Sequence, residues 1–275
     1  KDDFKIYWKK FAIAKLLPGK DYLDPEFSLI VDDIIETSQQ KKLQIYLEKW
    51  IKEKINLVLK SLIDLKSLKK TNSSIRALAY QLYENNGVLK RDIVSDYLKN
   101  LGQEERKILR NLGVKFGRYH VFLFKLLKPE AVLLRVLLWK NFYQKFFDLK
   151  PPTFGLNFLE SKKIKNKNFM LLCGFESFGE YFVRIDILER LFVQIINSNP
   201  DNKSEIKLIP EMLNLLGCNK DNFLNLIKKM NYKVIKKNDE TYFKYVSPKK
   251  NNKKIIFKNK VTDSPFNVLK KINFK

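Results

Sequence analysis

At Gln40 the spacing of apolar residues changes, and that change limits what the chain can fold into. Upstream, Lys5 to Leu17 is rich in β-branched and aromatic residues. Pro18-Gly19 gives a turn signal, and Ser28 to Val31 is a further short apolar run. Such runs between turn residues predict strands. Downstream, Leu43, Leu47, Trp50, Ile51, Val58 and Leu62 recur at spacings of three and four or their sums, with Lys42, Lys49, Glu53 and Lys60 between them. That is the pattern of a long amphipathic helix.

Glycines punctuate the next stretch of the chain. Ile75 to Glu84 reads as a helix closed at Asn85-Asn86-Gly87, Arg91 to Lys99 as one ending near Gly102, and Gln103 to Asn111 as one ending near Gly113. Glycine just past a helix suits its left-handed C-terminal cap. Glu130 to Phe147 is apolar on nearly every face, as expected of a buried central helix. Pro151-Pro152 interrupts the pattern and suggests a boundary.

Beyond it, Phe169 to Cys173 and Tyr181 to Ile185 flank Gly174 and Gly179, which predicts a β-hairpin. Asp186 suits the cap of a helix running to about Ile196, with Glu189 three residues on as a capping-box partner. A strand at Ile206 to Leu208, a helix Glu211 to Leu216 opened by Pro210 and closed by Gly217, and a helix Lys220 to Met230 capped by Asn219 come next. Two extended runs, Tyr232 to Lys236 and Thr241 to Val246, are joined by Asn238-Asp239-Glu240. This order is that of a winged helix-turn-helix.

The expected fold is therefore mainly α with small β elements: a helical bundle followed by a β-hairpin and a winged-helix-like unit. Residues 1–40 form a β-rich lead-in, read as the end of a truncated domain. Residues 41–150 form the bundle, 151–182 a linker and hairpin, 183–248 the winged unit and 249–275 a basic tail. A length of 275 residues fits one large domain or two to three small ones. A chain that begins at Lys1 rather than Met reads as a fragment or processed product.

Charge narrows the partners. Fifty-four Lys and Arg oppose thirty Asp and Glu, giving +24. Such a field draws polyanions, nucleic acid before anionic membrane. AT-rich codon usage produces the same excess of Lys, Asn, Ile and Phe in any protein, so charge alone makes nucleic-acid binding an expectation only. No apolar stretch is long enough to span a bilayer, and the N-terminus has no signal-peptide pattern. With two cysteines and one histidine the chain cannot build a four-ligand zinc site unaided. A reduced, cytoplasmic setting is expected.

Catalytic motifs are sparse. Pro18-Gly19-Lys20-Asp21 lacks the upstream glycine and the hydroxyl of a phosphate-binding loop, so ATP hydrolysis is not expected of this chain. His120 lies in Phe116-Gly117-Arg118-Tyr119-His120-Val121-Phe122 and reads as a packed or hydrogen-bonded core histidine. Asp32, Asp33 and Glu36 form the densest acidic cluster, but at a helix start they oppose the helix dipole, a commoner role than metal-dependent nuclease chemistry. No catalytic or metal residue is assigned.

The candidate site is for nucleic acid. In the helix Lys220 to Met230, Phe223, Leu224, Ile227 and Met230 are expected to face the core, leaving Lys220, Asn225, Lys228 and Lys229 outward, as on a recognition helix. Lys233, Lys236, Lys237 and Lys244 decorate the wing; Lys249, Lys250, Lys253 and Lys254 begin the tail. Lysine rather than arginine points to phosphate contacts with little sequence reading. A solvated lysine face needs no partner, and winged helices also serve as protein-contact modules.

Three segments together resemble a family. The first is Ala77-Leu78-Ala79-Tyr80-Gln81-Leu82 with Gly87-Val88-Leu89. The second runs Arg110-Asn111-Leu112-Gly113-Val114-Lys115-Phe116-Gly117-Arg118-Tyr119-His120-Val121-Phe122-Leu123, then Leu126-Leu127-Lys128-Pro129. The third is Cys173-Gly174-Phe175, then Val183-Arg184-Ile185-Asp186-Ile187-Leu188-Glu189-Arg190-Leu191, then Leu216-Gly217-Cys218. They resemble the region C-terminal to the motor in alphaproteobacterial superfamily-two helicases, whose motors are similar to the mitochondrial degradosome RNA helicase. The likeness spans roughly Ala12 to Tyr232. It implies upstream RecA-like motor domains that bind ATP and magnesium and move along RNA or DNA. Those domains and their catalytic residues are not in this chain, which needs no cofactor of its own. The Lys-rich tail departs from the Ala- and Pro-rich tails of the family.

The leading expectation is thus a nucleic-acid-binding accessory region of an ATP-dependent helicase. The alternatives are a free-standing winged-helix DNA-binding protein and a module that docks a nuclease or ribosome partner.

Overall fold

The computed structural model describes residues 3–30, 36–68, 72–164, 166–199 and 205–247. Among the described residues helix outweighs strand by 48% to 24%, but the strands are gathered in four three-stranded antiparallel sheets, so this part is more mixed than mainly α. No helix among the described residues is long and apolar enough to cross a membrane.

The lead-in is a meander of β1 (Lys5–Trp8), β2 (Phe11–Asp21) and β3 (Asp24–Leu29). Pro18-Gly19 does not turn the chain. It lies inside β2 at a register shift against β3, between Leu17 and Asp21. A strand proline, which cannot donate to a ladder, belongs at such an irregularity. Of the acidic cluster, Asp32 and Asp33 lie outside the described residues, and Glu36 precedes α1 without a side-chain capping bond.

The expected long helix is two, α1 (Thr37–Val58) and α2 (Lys60–Lys66), broken at the fully buried Leu59. Leu47, Ile51 and Ile55 face the core, whereas Trp50 is exposed. Next come α3 (Ser73–Glu84), β4 (Val88–Lys90), α4 (Ser95–Lys99) and α5 (Gln103–Asn111). Arg91 to Val94 is a turn rather than the start of a helix. After it, β5 (Val114–Phe116) and β6 (His120–Leu123) join β4 in a sheet of order β4-β6-β5. The bundle is therefore split by a sheet that pairs Val88 with Phe122 and Val114 with Leu123.

A 3-10 turn, Phe124–Leu127, leads into α6 (Pro129–Tyr143), which packs on β2, β3 and α1 and also on a later helix. Arg135 of α6 is wholly buried, donating to the carbonyls of Asn86 at 2.6 Å and Leu126 at 2.7 Å. β7 (Phe158–Glu160) and α7 (Lys167–Leu172) come after it, then β8 (Phe175–Phe178) and β9 (Tyr181–Arg184). Phe169 to Leu172 is thus helix, started by Asn166 accepting from Phe169 N, with Cys173 at its C-cap; the hairpin lies one step later, around Gly179.

The remaining elements are α8 (Ile185–Asn197), β10 (Ile206–Lys207), α9 (Pro210–Leu216), α10 (Lys220–Lys229), β11 (Tyr232–Lys237) and β12 (Glu240–Tyr245). One core lies under β2, the helices from α1 to α6 and the β4-β6-β5 sheet; another joins β9, α8, α9, α10 and the last hairpin. Between them Val88, Phe122 and Ile185 form a small apolar contact. Lys1 to Tyr245 makes one compact unit, and residues 249–275 of the expected tail lie outside the described residues. Cys173 and Cys218 are both free, and burial pushes their thiols up to about 12 and about 11.

Candidate nucleic-acid interface

Local chemistry fixes each turn of the last unit. Pro210 opens α9, where its missing N–H costs no bond, and Gly217 closes it with φ +69°. Asn219 caps α10, accepting from Asn222 N at 2.8 Å. Asn238 and Asp239 both have positive φ, the conformation that a two-residue hairpin turn requires. β10 then pairs with β12, giving the order β10-β12-β11.

In α10 the core face is Phe223, Leu226 and Ile227, all fully buried, with Met230 just beyond. Leu224, expected in that set, is only partly buried. Lys220, Asn225, Lys228 and Lys229 are exposed as expected. Asn225 and Lys228 point furthest outward by the helical period. Lys229 instead leans over the Tyr181 ring, its ammonium 5.6 Å from the centroid, near Gly179.

The register sorts the last hairpin into faces, because residues directly opposite share one. Tyr232, Val234 and Phe243 pack inward, with Phe243 6.2 Å from the Phe223 ring. Lys233 opposite Lys244, and Ile235 opposite Tyr242, make the outer face; Lys207 joins it opposite Tyr242. Lys236, opposite the buried Thr241, is exposed near the hairpin tip. Lys237 is occupied by Glu205 at 2.6 Å, and Lys207 by Glu240. Lys228, Lys233, Lys236 and Lys244 have no acidic partner at ion-pair distance among the described residues. Two like charges directly opposite on a sheet destabilise it by roughly 0.2–1 kcal/mol, a cost that an anion lying across Lys233 and Lys244 would relieve. Lys249, Lys250, Lys253 and Lys254 lie outside the described residues.

This unit is joined to the β4-β6-β5 sheet by a buried polar cluster. His120 Nε2 lies 2.7 Å from Glu176 Oε2, and Lys90 donates to the other oxygen at 2.9 Å. Glu189 of α8 accepts the backbone N–H groups of Arg118, Tyr119 and His120 at 2.5, 2.9 and 2.9 Å. Its role is to hold that loop. Asp186 makes two bonds with Arg184 instead of capping α8. The expected capping box is therefore absent, and its glutamate is spent on a contact 70 residues away in sequence.

One group of residues was not anticipated from the sequence. Arg91, Lys115, Arg118 and Arg190 line a surface hollow of about 620 Å³ together with Phe116, Phe124 and Phe192. The only signal was arginine itself, scarce in this lysine-rich chain. Comparisons with protein-family models, with curated proteins and with solved structures find no match for this chain.

Proposed function

We propose that the chain is a nucleic-acid-binding accessory region of an ATP-dependent RNA or DNA helicase, and that α8 to β12 works as a winged helix-turn-helix. ATP and magnesium then belong to RecA-like motor domains upstream, and this region guides a strand for them. One observation carries the binding half of the reading. In the order helix, strand, helix, helix, hairpin, with β10 returning to pair with β12, α10 and the hairpin are consecutive elements that each carry exposed lysines. Both surfaces are solvent-facing and have more cations than acidic partners. The motor half rests on the resemblance carried by the three segments around Ala77 to Leu89, Arg110 to Pro129 and Cys173 to Cys218.

Lysine ammonium groups attract phosphate without reading bases, so the binding is sequence-tolerant. Each phosphate neutralised releases condensed counterion, which makes affinity fall linearly with salt on logarithmic axes. The test is anisotropy with labelled RNA and DNA oligonucleotides of unrelated sequence across roughly 50–200 mM salt. Binding to all of them with a steep negative slope is expected. No binding at the lowest salt, or a slope near zero, would remove the reading and favour a protein-docking module.

A further inference from the structure

The arginines are unevenly spread. The chain has eight, and three of them, Arg106, Arg110 and Arg118, lie over two aromatic rings. The guanidinium carbons of Arg106 and Arg110 lie 5.9 and 5.7 Å from the centre of the Phe116 ring, and that of Arg118 lies 5.6 Å from Phe192. Arg91 and Arg190 line the same hollow. Lysine offers a strongly hydrated point charge, whereas arginine is planar, stacks on rings and grips phosphate with two donors. Elsewhere most of the chain's positive charge is lysine. Arginine is concentrated where flat contact and forked bonding are of use.

The acids in the hollow are turned to other work. Asp186 is held by Arg184, and Glu189 is filled by the N–H groups of Arg118, Tyr119 and His120. Beside the basic rim, Phe124 is 45% exposed on the 3-10 turn after β6. Arg91 and Arg118 also line a second hollow, of about 500 Å³, which reaches Phe178 and Tyr245 at the end of β12. The two hollows adjoin at Arg91 and Arg118, giving a groove from the base of the hairpin to α8 whose second half also carries Asp92 and the His120-paired Glu176.

We propose that this groove binds single-stranded nucleic acid, with phosphates at Arg118 and Arg190 and a base stacked against the exposed Phe124. The proposal rests on the nucleic-acid-binding function proposed for this chain and narrows it to strand state. A ring in a groove can stack only on an unpaired base, because the base faces of a duplex are covered by their neighbours. Lysines on α10 and the hairpin have no such requirement. An opened strand would pass from the basic hairpin into the groove.

The experiment compares two fluorescein-labelled probes by anisotropy: an oligo-uridine of about twelve nucleotides and a hairpin duplex of equal charge. Phe124→Ala leaves charge unchanged, and Arg118→Ala/Arg190→Ala removes two cations from the groove. Both variants are checked against the parent by circular dichroism and thermal melting. Phe124→Ala is expected to weaken oligo-uridine binding about fivefold or more, and the double variant about tenfold or more, with duplex binding changed less than about twofold. If a Lys228→Glu/Lys236→Glu control loses affinity while both folded groove variants hold oligo-uridine like the parent, the groove inference alone is overturned. If the parent binds neither probe, the nucleic-acid reading falls with it. If polyglutamate displaces oligo-uridine as readily as unlabelled oligo-uridine does, the groove takes acidic chains in general, and the proposal is likewise overturned.

Discussion

The imidazole of His120 and the carboxylate of Glu176 form a buried pair, Nε2 to Oε2 2.7 Å, with side chains only 1% and 8% exposed. They join β6 to β8 across 56 residues of sequence. Nδ1 faces Glu189 at 3.5 Å, an ion-pair distance that is long for a hydrogen bond. A histidine–carboxylate pair held this deep makes the joint between the two sheets sensitive to pH.

Burial works against charge on His120, but hydrogen bonds and the negative charges of Glu176 and Glu189 outweigh it and raise its pKa above the ordinary 6.5. Burial also works against charge on Glu176, and bonds from His120 and Lys90 outweigh it and lower its pKa below the ordinary 4.5. A raised histidine stabilises fully below its unfolded value and loses that contribution as pH rises through its folded value. A lowered carboxylate stabilises above its unfolded value and loses the contribution as pH falls through its folded value. The pair therefore contributes in full between 4.5 and 6.5. Thermal melts of the parent and Glu176→Gln across this range and above it provide the check. The variant should be less stable by about 3 kcal/mol in that interval, and the gap should narrow at higher pH. A gap that stays constant with pH would mean that His120 is neutral throughout.

Gly117 makes room for Glu189. A Cβ built at position 117 would collide with the Glu189 carboxylate, which holds three backbone N–H groups of the adjoining loop. Gly117→Ala should push the carboxylate aside and cost about 1.5–3 kcal/mol, the worth of a bond to a charged group. In a Glu189→Ala background the same substitution should cost much less, because the obstacle is gone. Equal losses in both backgrounds by denaturant titration would show that the clash is not the cause.

Arg135 occupies the interior with no carboxylate at ion-pair distance among the described residues. Burial lowers its pKa to about 10, which leaves it charged at neutral pH. It holds the Asn86 and Leu126 carbonyls, so Arg135→Ala strands two acceptors and leaves a cavity beside them. A loss above about 3 kcal/mol is expected in chemical denaturation. A loss under about 1 kcal/mol would mean that water satisfies the carbonyls unaided.

What the sequence made legible was mostly local. α5 and the Pro210, Gly217 and Asn219 signals around α9 and α10 lie where capping residues placed them, because each cap acts within a few residues. His120 also has the buried, hydrogen-bonded setting that its aromatic neighbours suggested. The β4-β6-β5 sheet was not legible. Its strands are three or four residues long, too short to show alternation, and β4 meets β6 across two intervening helices. Phe169 to Cys173 reads as a strand because it is a short apolar run, although it has no β-branched residue and Asn166 stands ready to cap it as a helix. The arginine groove was hidden for the same reason as the sheet. Arg91, Arg118 and Arg190 are brought together by long-range pairing that spacing along the chain does not encode.

The central claim is that the basic surface of α10 and its hairpin binds phosphates. Lys228, Lys233, Lys236 and Lys244 are exposed on α10 and the hairpin and have no acidic partner among the described residues, so changing all four to Glu reverses the charge these elements present. The buried face of Phe223, Leu226 and Ile227 is untouched, and circular dichroism should be unchanged. Affinity for a labelled duplex should fall by at least about tenfold, on the order of 1.4 kcal/mol, and the salt slope should flatten as phosphate contacts are lost. A folded variant that binds as tightly as the parent, with an unchanged slope, would contradict the account and leave these lysines as a solvated face.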